Sequence, residues 1–179
     1  MTSTELLERF VKQSPIVVMM RAALENVFSS ERLDELFAAS CKRQRPSDVL
    51  FSLVVDLMGA VVCNVRPSIH AAIRDREDEI DVSMRAIYGK LQGIEPCVCQ
   101  ALVRNTAAKM AGIVDYLGAP QPEWLPGYRV KLIDGNHLPR SERRLKELRE
   151  MNAAPLPGHT LVVLDPVRML AMDAFPCDD

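Results

Sequence analysis

The chain has 179 residues, of which 48% are hydrophobic, and this apolar content is ample for a packed core, which argues against disorder throughout. A formal net charge of -2 gives no overall attraction to nucleic acid, so an anionic partner must meet a local basic patch. The five cysteines have neither C-x-x-C spacing nor histidines at zinc-finger offsets, which predicts reduced thiols in a cytoplasmic protein. The longest apolar stretch, residues 49–65, contains Asp56 and is shorter than the roughly 20 residues that span a bilayer, so no membrane partner is expected.

Residues 1–118 have the periodicity of consecutive helices, and we predict an all-α domain over this range. Thr2 and Glu5 form a capping box for the first helix, and Gly118 supplies a stop for the last one. The longest apolar helix is predicted to open at Pro46, with apolar residues on two adjacent faces, as is typical of a central, buried helix. The other predicted helices cover 16–28, a stretch after residue 30, 67–76, 82–91 and a stretch from residue 96.

A proline-rich segment, 119–127, follows the predicted helices. It contains three prolines and Trp124, a composition that neither a helix nor a central strand tolerates, so we expect a linker there. The pattern then changes to strands at 128–133, 160–164 and 167–174, the last two joined by an Asp165-Pro166 turn, with a charged helical insertion at 141–151. The predicted fold class is therefore α+β, with three antiparallel strands in residues 128–179.

Asp134 is the candidate catalytic and metal-ligating residue. It has the same side-chain parity as Val130 and Leu132, so an apolar strand face would end in a carboxylate just before a glycine turn. Oxygen ligands suit Mg²⁺ or Mn²⁺, and two such ions about 4 Å apart can activate a water and stabilise the leaving oxygen of a phosphodiester. One aspartate cannot hold such a pair, and the alternative is an ordinary turn aspartate that precedes glycine.

Two groups of residues are candidates for contacts with DNA. Segment 129–149 has seven basic and three acidic residues, a local excess of +4 that suits a phosphate backbone, although a solvated helix with i,i+4 ion pairs would have the same pattern. The predicted helices 67–76 and 82–91 have the lengths of a helix-turn-helix, although two helices can also pack without touching DNA. The candidate DNA-binding residues are Arg85, Tyr88, Lys90, Arg140, Arg143, Arg144, Lys146 and Arg149.

Longer motifs extend over nearly the whole chain. They include Gly127-Tyr-Arg-Val-Lys-Leu-Ile-Asp-Gly-Asn-His-Leu138, Leu161-Val-Val-Leu-Asp-Pro166 and Asp173-Ala-Phe-Pro-Cys-Asp-Asp179, and, in the helical region, Leu50-Phe-Ser-Leu-Val-Val-Asp-Leu-Met58, Val65-Arg-Pro-Ser-Ile-His-Ala-Ala72 and Tyr88-Gly-Lys-Leu-Gln-Gly-Ile-Glu-Pro96. Together these motifs resemble DDE-type insertion-sequence transposases of the branch named after insertion sequence four. The resemblance implies a helical amino-terminal domain and the start of a ribonuclease-H-like catalytic domain.

The same resemblance implies a function in DNA transposition. Asp134 matches the first of the family's three acidic metal ligands, whereas the second aspartate and the glutamate would lie beyond Asp179. The complete enzyme would use Mg²⁺ or Mn²⁺ to cut and transfer DNA strands at the transposon ends. We expect this chain to be the amino-terminal portion, inactive alone and without a stably bound metal, with double-stranded DNA as its partner, together with a second copy or a chain from a downstream reading frame.

Two other functions fit the same residues. The chain could be a truncated DNA-binding or inhibitory protein without catalysis, or an inert remnant of a transposase gene. Within the strands, Asp165 is interpreted as a hairpin residue and Asp173 as an acidic neighbour of the metal site.

Overall fold

The computed structural model describes residue 8 and the ranges 12–43, 49–137 and 159–177. The chain forms two compact units, Met1–Glu95 and Pro96–Asp179. In the described ranges the first unit has helices α1 (Pro15–Val27), α2 (Ser30–Ser40), α3 (Phe51–Val62), α4 (Ile69–Arg74) and α5 (Met84–Gln92). The second unit has helix α6 (Pro96–Tyr116) and strands β1 (Leu132–His137), β2 (His159–Asp165) and β3 (Leu170–Cys177). The predicted helix that begins at Thr2 lies almost entirely outside the described residues.

The helical unit is organised around α3, as its apolar sequence predicts. Leu57 of α3 and Ile87 of α5 are both 1% exposed, and they share one buried cluster with Val54 and Ile73. Burial of a Leu or Ile side chain contributes about 1.5–3 kcal/mol, so this cluster is the main stabilising feature of the unit. The short helices around it begin with serine caps, because the hydroxyls of Ser68 and Ser83 accept hydrogen bonds from backbone N–H groups three residues later.

Helix α3 begins several residues after the predicted start at Pro46, and its first turn is capped by a residue from another helix. Its N-cap position is Leu50, whose side chain cannot accept a hydrogen bond. The carboxylate of Asp34, on α2, instead accepts the Ser52 backbone N–H at 2.9 Å and the Ser52 hydroxyl at 2.7 Å. A tertiary contact therefore satisfies part of the helix end that the local sequence leaves open.

The chain that follows α2 is also held by a distant carboxylate. Glu95 Oε1 accepts the backbone N–H groups of Lys42 and Arg43 at 2.9 and 2.7 Å, and the Cys41 thiol at 3.0 Å. These bonds join the last residue of the helical unit to the three residues that follow its second helix. The carboxylate thus fixes residues 41–43, which are not part of a helix or strand.

The second unit is a helix packed on an antiparallel meander. Its strand order is β1-β2-β3, and α6 lies against β3. The helices and the three-stranded antiparallel sheet confirm the predicted α+β class. Strands β1 and β3 each begin later than predicted, because β1 begins where Leu132 pairs with Leu164 of β2 and a four-residue loop, 166–169, separates β2 from β3.

The division between the compact units does not coincide with the proline-rich segment. Residues 119–127 have no helix or strand, in keeping with their composition, but the units divide between Glu95 and Pro96. Helix α6 therefore belongs to the same compact unit as the sheet. The physical reason is its packing against β3, which a pattern of local residue types cannot reveal.

Within the part of the chain that the structure describes, no helix has both the length and the apolarity needed to cross a bilayer.

Candidate metal-ligating site on the sheet

Asp134 is the third residue of β1 and its side chain is exposed to solvent. It is in register with Val162 of β2, which is in register with Ala174 of β3. Directly opposed residues of antiparallel strands project from the same side of a sheet, so these three residues define one surface, here called the Asp134 face. Among the residues that the structure describes, none forms a hydrogen bond or ion pair with the Asp134 carboxylate, so both of its oxygens are available to a ligand.

The strand does not end at Asp134, contrary to the sequence prediction of a glycine turn. Gly135 continues the strand in register with Leu161, and pairing extends to His137. A Cβ atom added at Gly135 would lie 3.6 Å from Leu161 Cδ2, an ordinary contact distance, so neither space nor backbone conformation requires glycine here. Asp134 therefore lies within a regular strand, where backbone pairing holds it more firmly than a turn would.

Asp173 lies on the other side of the sheet. It is in register with Val163, the neighbour of Val162, and successive residues of a strand alternate between faces. Its carboxylate accepts two hydrogen bonds from the Arg104 guanidinium of α6, at 2.9 and 2.8 Å, and one from Gln100 at 3.2 Å. The Arg104 hydrogen bonds lower the pKa of Asp173. Asp173 therefore attaches α6 to β3, and it cannot share a metal ion with Asp134.

Asp165 forms a second ion cluster at the turn between β2 and β3. It is 2% exposed, and its carboxylate accepts hydrogen bonds from Lys131 Nζ at 2.5 Å and from Arg168 Nη1 at 3.2 Å. Its Oδ1 also accepts the backbone N–H groups of Val167 and Arg168, which confirms Asp165 as a hairpin residue. Burial alone would raise the pKa of Asp165, but these hydrogen bonds outweigh it and lower the pKa to about 2.

Arg168 extends this cluster to the helix. Its guanidinium donates to both oxygens of Asp115, in the last turn of α6, at 3.0 and 2.9 Å. A chain of charges therefore runs from α6 through the hairpin to Lys131, just before β1. The local sequence indicates the Asp-Pro turn but not these partners, because Asp115 and Lys131 are distant from Asp165 in the chain.

The carboxylates of the described sheet fit a metal site in which other groups supply most of the oxygen ligands. Mg²⁺ and Mn²⁺ accept one or two protein carboxylates together with waters and substrate phosphates. Asp134 offers one solvent-facing carboxylate of this kind, whereas Asp165 and Asp173 form ion pairs with lysine and arginine side chains. No group of three or more metal-ligating side chains converges within the described residues.

The predicted DNA-contacting residues on α5 have different environments. Arg85 is exposed, Tyr88 packs against the core of the helical unit, and Lys90 is only 7% exposed. Lys90 Nζ lies 3.8 Å from the ring centroid of Phe37, and burial lowers the pKa of this ammonium. Lys90 is thus buried against an aromatic ring, contrary to the expected position on a DNA-facing surface.

The α4 and α5 helices also differ from the expected helix-turn-helix. Helix α4 has six residues, and the connection from Asp75 to Ser83 is longer than the turn of three or four residues in that motif. This connection contains Glu77, Asp78, Glu79 and Asp81, whose negative charges precede the amino-terminal end of α5. A recognition helix contacts bases through that end, so the acidic connection disfavours this mode of binding.

The remaining predicted DNA-binding residues lie outside the described residues. They are Arg140, Arg143, Arg144, Lys146 and Arg149.

Comparison of the chain with protein-family models, with curated proteins and with solved structures finds no match.

Proposed function

We propose that this chain is the amino-terminal portion of a DDE-type transposase, which moves an insertion sequence by cutting DNA at its ends and joining them to a target. The observation that carries the proposal is the position of Asp134 on β1 of an antiparallel β1-β2-β3 meander. A ribonuclease-H-like sheet in this family begins with three antiparallel strands and has its first acidic ligand on the first of them. The exposed carboxylate of Asp134 supports the same assignment.

In this proposal Asp134 is the residue of the chain that binds Mg²⁺ or Mn²⁺. When bound, the metal ions supply activation of the attacking water or 3′ hydroxyl and stabilisation of the leaving oxygen. The contribution of the chain itself is positional. Pairing of β1 with β2 on both sides of Asp134 fixes the position of the carboxylate, which is exposed to solvent and therefore accessible to a DNA phosphate.

The other acids of the described sheet do not compete for this role. Asp173 projects from the opposite face and binds Arg104, and Asp165 is buried beside Lys131. Strand cleavage also needs the second aspartate and the glutamate of the family. Within the described residues no group of three or more possible metal ligands converges, so we propose that Asp134 acts together with carboxylates outside the described sheet.

The nucleotide sequence around the gene gives the first test. Reading on from codon 179, in phase or after a frameshift, should reveal codons for the aspartate and the glutamate, and inverted repeats should flank the gene. Absence of both the continuation and the repeats would overturn the proposal.

Strand cleavage gives the biochemical test. The polypeptide joined to that continuation should nick DNA that carries the inverted repeat, in the presence of Mg²⁺ or Mn²⁺. Asp134→Asn should abolish nicking, whereas Asp78→Asn, which changes an exposed acid of the helical unit, should leave it unchanged. Metal-dependent nicking that persists in Asp134→Asn would contradict the role of Asp134.

A further inference from the structure

The segment 123–128, here called the aromatic turn, places large apolar side chains in water just before the strand that contains Asp134. Trp124 is 59% exposed, Leu125 is 57% exposed and Tyr128 is 73% exposed. Single exposed hydrophobic residues are common on protein surfaces, but neighbouring Trp and Tyr side chains are enriched where proteins contact other molecules. This turn is therefore a candidate binding surface.

The backbone of the aromatic turn is fixed by several hydrogen bonds. The Tyr128 N–H donates to the Leu125 carbonyl at 3.0 Å, and Gly127 has φ of 81°, as expected for a turn with Pro126 and Gly127 at its centre. The Gly127 N–H donates to the Glu123 carboxylate at 3.0 Å. Just before the turn, the Gln121 N–H donates to the Val167 carbonyl at 2.6 Å, which attaches the segment to the β2–β3 loop. The rings are thus presented on an ordered backbone, so that binding costs little ordering entropy.

We propose that the aromatic turn stacks on an unpaired or terminal base of the DNA substrate. Flat ring faces fit the faces of nucleobases, and those faces are accessible only where a base is unpaired or lies at the end of a duplex. The proposal rests on the proposed function, since cleavage at a transposon end creates such a terminus.

Charge and position favour DNA as the occupant. Arg129 follows the turn, is exposed, and has no hydrogen-bond or ion-pair partner among the described residues, so its guanidinium is available to a phosphate. The nearby carboxylate of Glu123 accepts a hydrogen bond from the Gly127 N–H within the turn. Tyr128 and Asp134 are six residues apart, which is at most about 20 Å of extended chain. One DNA end can therefore reach both the stacking surface and the proposed metal ligand.

Trp124 allows a direct test, because it is the only tryptophan of the chain. The full 179-residue protein is titrated with a thymidine 12-mer and with an abasic 12-mer of the same length and phosphate charge, and tryptophan fluorescence is recorded. We expect the thymidine oligomer to quench the emission and to bind about tenfold more tightly than the abasic oligomer, because only the former can stack. Equal binding of the two oligomers would overturn the proposal.

Substitutions at Tyr128 separate stacking from charge. Tyr128→Phe keeps the ring and should retain the affinity for the thymidine oligomer, whereas Tyr128→Ala should lower it about tenfold. Unchanged far-ultraviolet circular dichroism and thermal melting in both variants would exclude unfolding as the cause. Equal affinity of the Ala and Phe variants for the thymidine oligomer would overturn the proposal. A tryptophan emission that changes only with protein concentration would also overturn it, because it would identify the surface as a contact between two copies of the chain.

The stacking proposal and the proposed function fail in different experiments. Stacking is measured without metal and does not involve Asp134, whereas nicking by the completed enzyme depends on Asp134 and a divalent metal. If the abasic oligomer binds as well as the thymidine oligomer while Asp134-dependent nicking is observed, only the stacking proposal falls. If base-dependent quenching is observed but Asp134→Asn nicks DNA normally, the proposed function falls.

Discussion

Asp134 and Asp173 project from opposite faces of one three-stranded sheet, because Asp134 is in register with Val162 and Asp173 with the adjacent Val163. One carboxylate faces solvent, and the other binds Arg104 of the helix that packs on the sheet. The two acids therefore have separate consequences when they are changed.

Asp173→Asn should lower stability, whereas Asp134→Asn should not. The first substitution removes the charge that accepts two hydrogen bonds from Arg104, and the second changes an exposed side chain without a partner among the described residues. Thermal melting followed by circular dichroism measures both. The expected order is a lower melting temperature for Asp173→Asn and a wild-type value for Asp134→Asn. The reverse order would contradict the assignment of the two faces.

Asp165→Asn should be the most destabilising single change among the acids of the sheet. It leaves Lys131 without the buried charge that it binds, and breaking a buried ion pair costs about 3 kcal/mol of unfolding free energy. Urea denaturation followed by Trp124 fluorescence measures this loss in the unit that contains the sheet.

Asp115→Asn is the matched control for Asp165→Asn. It removes an acid that binds the same Arg168, but the Asp115 side chain is largely exposed, so the loss should be smaller. A loss as large as that of Asp165→Asn would contradict the importance of burial in this cluster.

The stability of the second unit should also depend on Asp165 at acid pH. The pKa of Asp165 is about 2 in the folded protein and its ordinary value is 3.8, so the folded state favours the ionised form. A group with a lowered folded pKa contributes stability above its unfolded pKa and loses this contribution as pH falls through the folded pKa. We expect Asp165 to contribute about 2 kcal/mol to the free energy of unfolding above pH 4, and this contribution to be lost progressively toward pH 2. Urea denaturation across this range should show that the free energy of unfolding of Asp165→Asn falls less steeply with decreasing pH than that of the wild type.

Lys90→Met should preserve or increase the stability of the helical unit. Burial lowers the pKa of Lys90, so the folded state disfavours the charge of its ammonium group. Replacing this buried charge with an apolar side chain of similar length should therefore raise the free energy of unfolding by up to about 1 kcal/mol. For the same reason, the wild-type unfolding free energy should rise with pH up to the ordinary Lys pKa of 10.5, and Lys90→Met should lack this rise.

Arg85→Ala provides the comparison for DNA binding. Arg85 is exposed on the same helix, and if it contacts one phosphate, without base reading by the helix end, its loss should weaken retention on DNA and reduce the slope of log affinity against log salt by about 0.9. Lys90→Met should leave both quantities unchanged. A matching loss in a folded Lys90→Met variant would show that the ammonium reaches DNA in spite of its burial.

Asp34→Ala tests the cap that one helix provides for another. Its removal leaves the Ser52 N–H and hydroxyl without their acceptor, and the loss of such a cap costs about 1.5 kcal/mol. Thermal melting of Asp34→Ala and of Glu35→Ala, an exposed acid next to it, measures the effect. Equal melting temperatures would contradict a capping role for Asp34.

The local sequence predicted the helices of the first unit well, because their periodicity and caps are properties of neighbouring residues. The start of α3 was placed too early, since its cap comes from Asp34 in another helix. The first predicted strand also began too early, because the residue types at 128–131 favour a strand but pairing with β2 begins only at Leu132, opposite Leu164.

The alternation of side chains along a strand predicted which residues of β1 share a side of the sheet with Asp134, but it could not show which acids of the other strands lie on that side. That relationship depends on the register between strands, and β3 has an irregular register between Val163 and Leu164 of its partner. The partners of Asp165 and Asp173 come from α6, from the hairpin and from the residue before β1, so only the three-dimensional structure reveals them.

The Lys131–Asp165 ion pair has a consequence for strand alignment. A slip of β1 by one residue along β2 would turn Lys131 away from Asp165 and leave this buried carboxylate without its shortest ion pair. The ion pair therefore penalises misaligned pairing of β1 with β2, and so it helps to fix the register in which Asp134 lies opposite Val162.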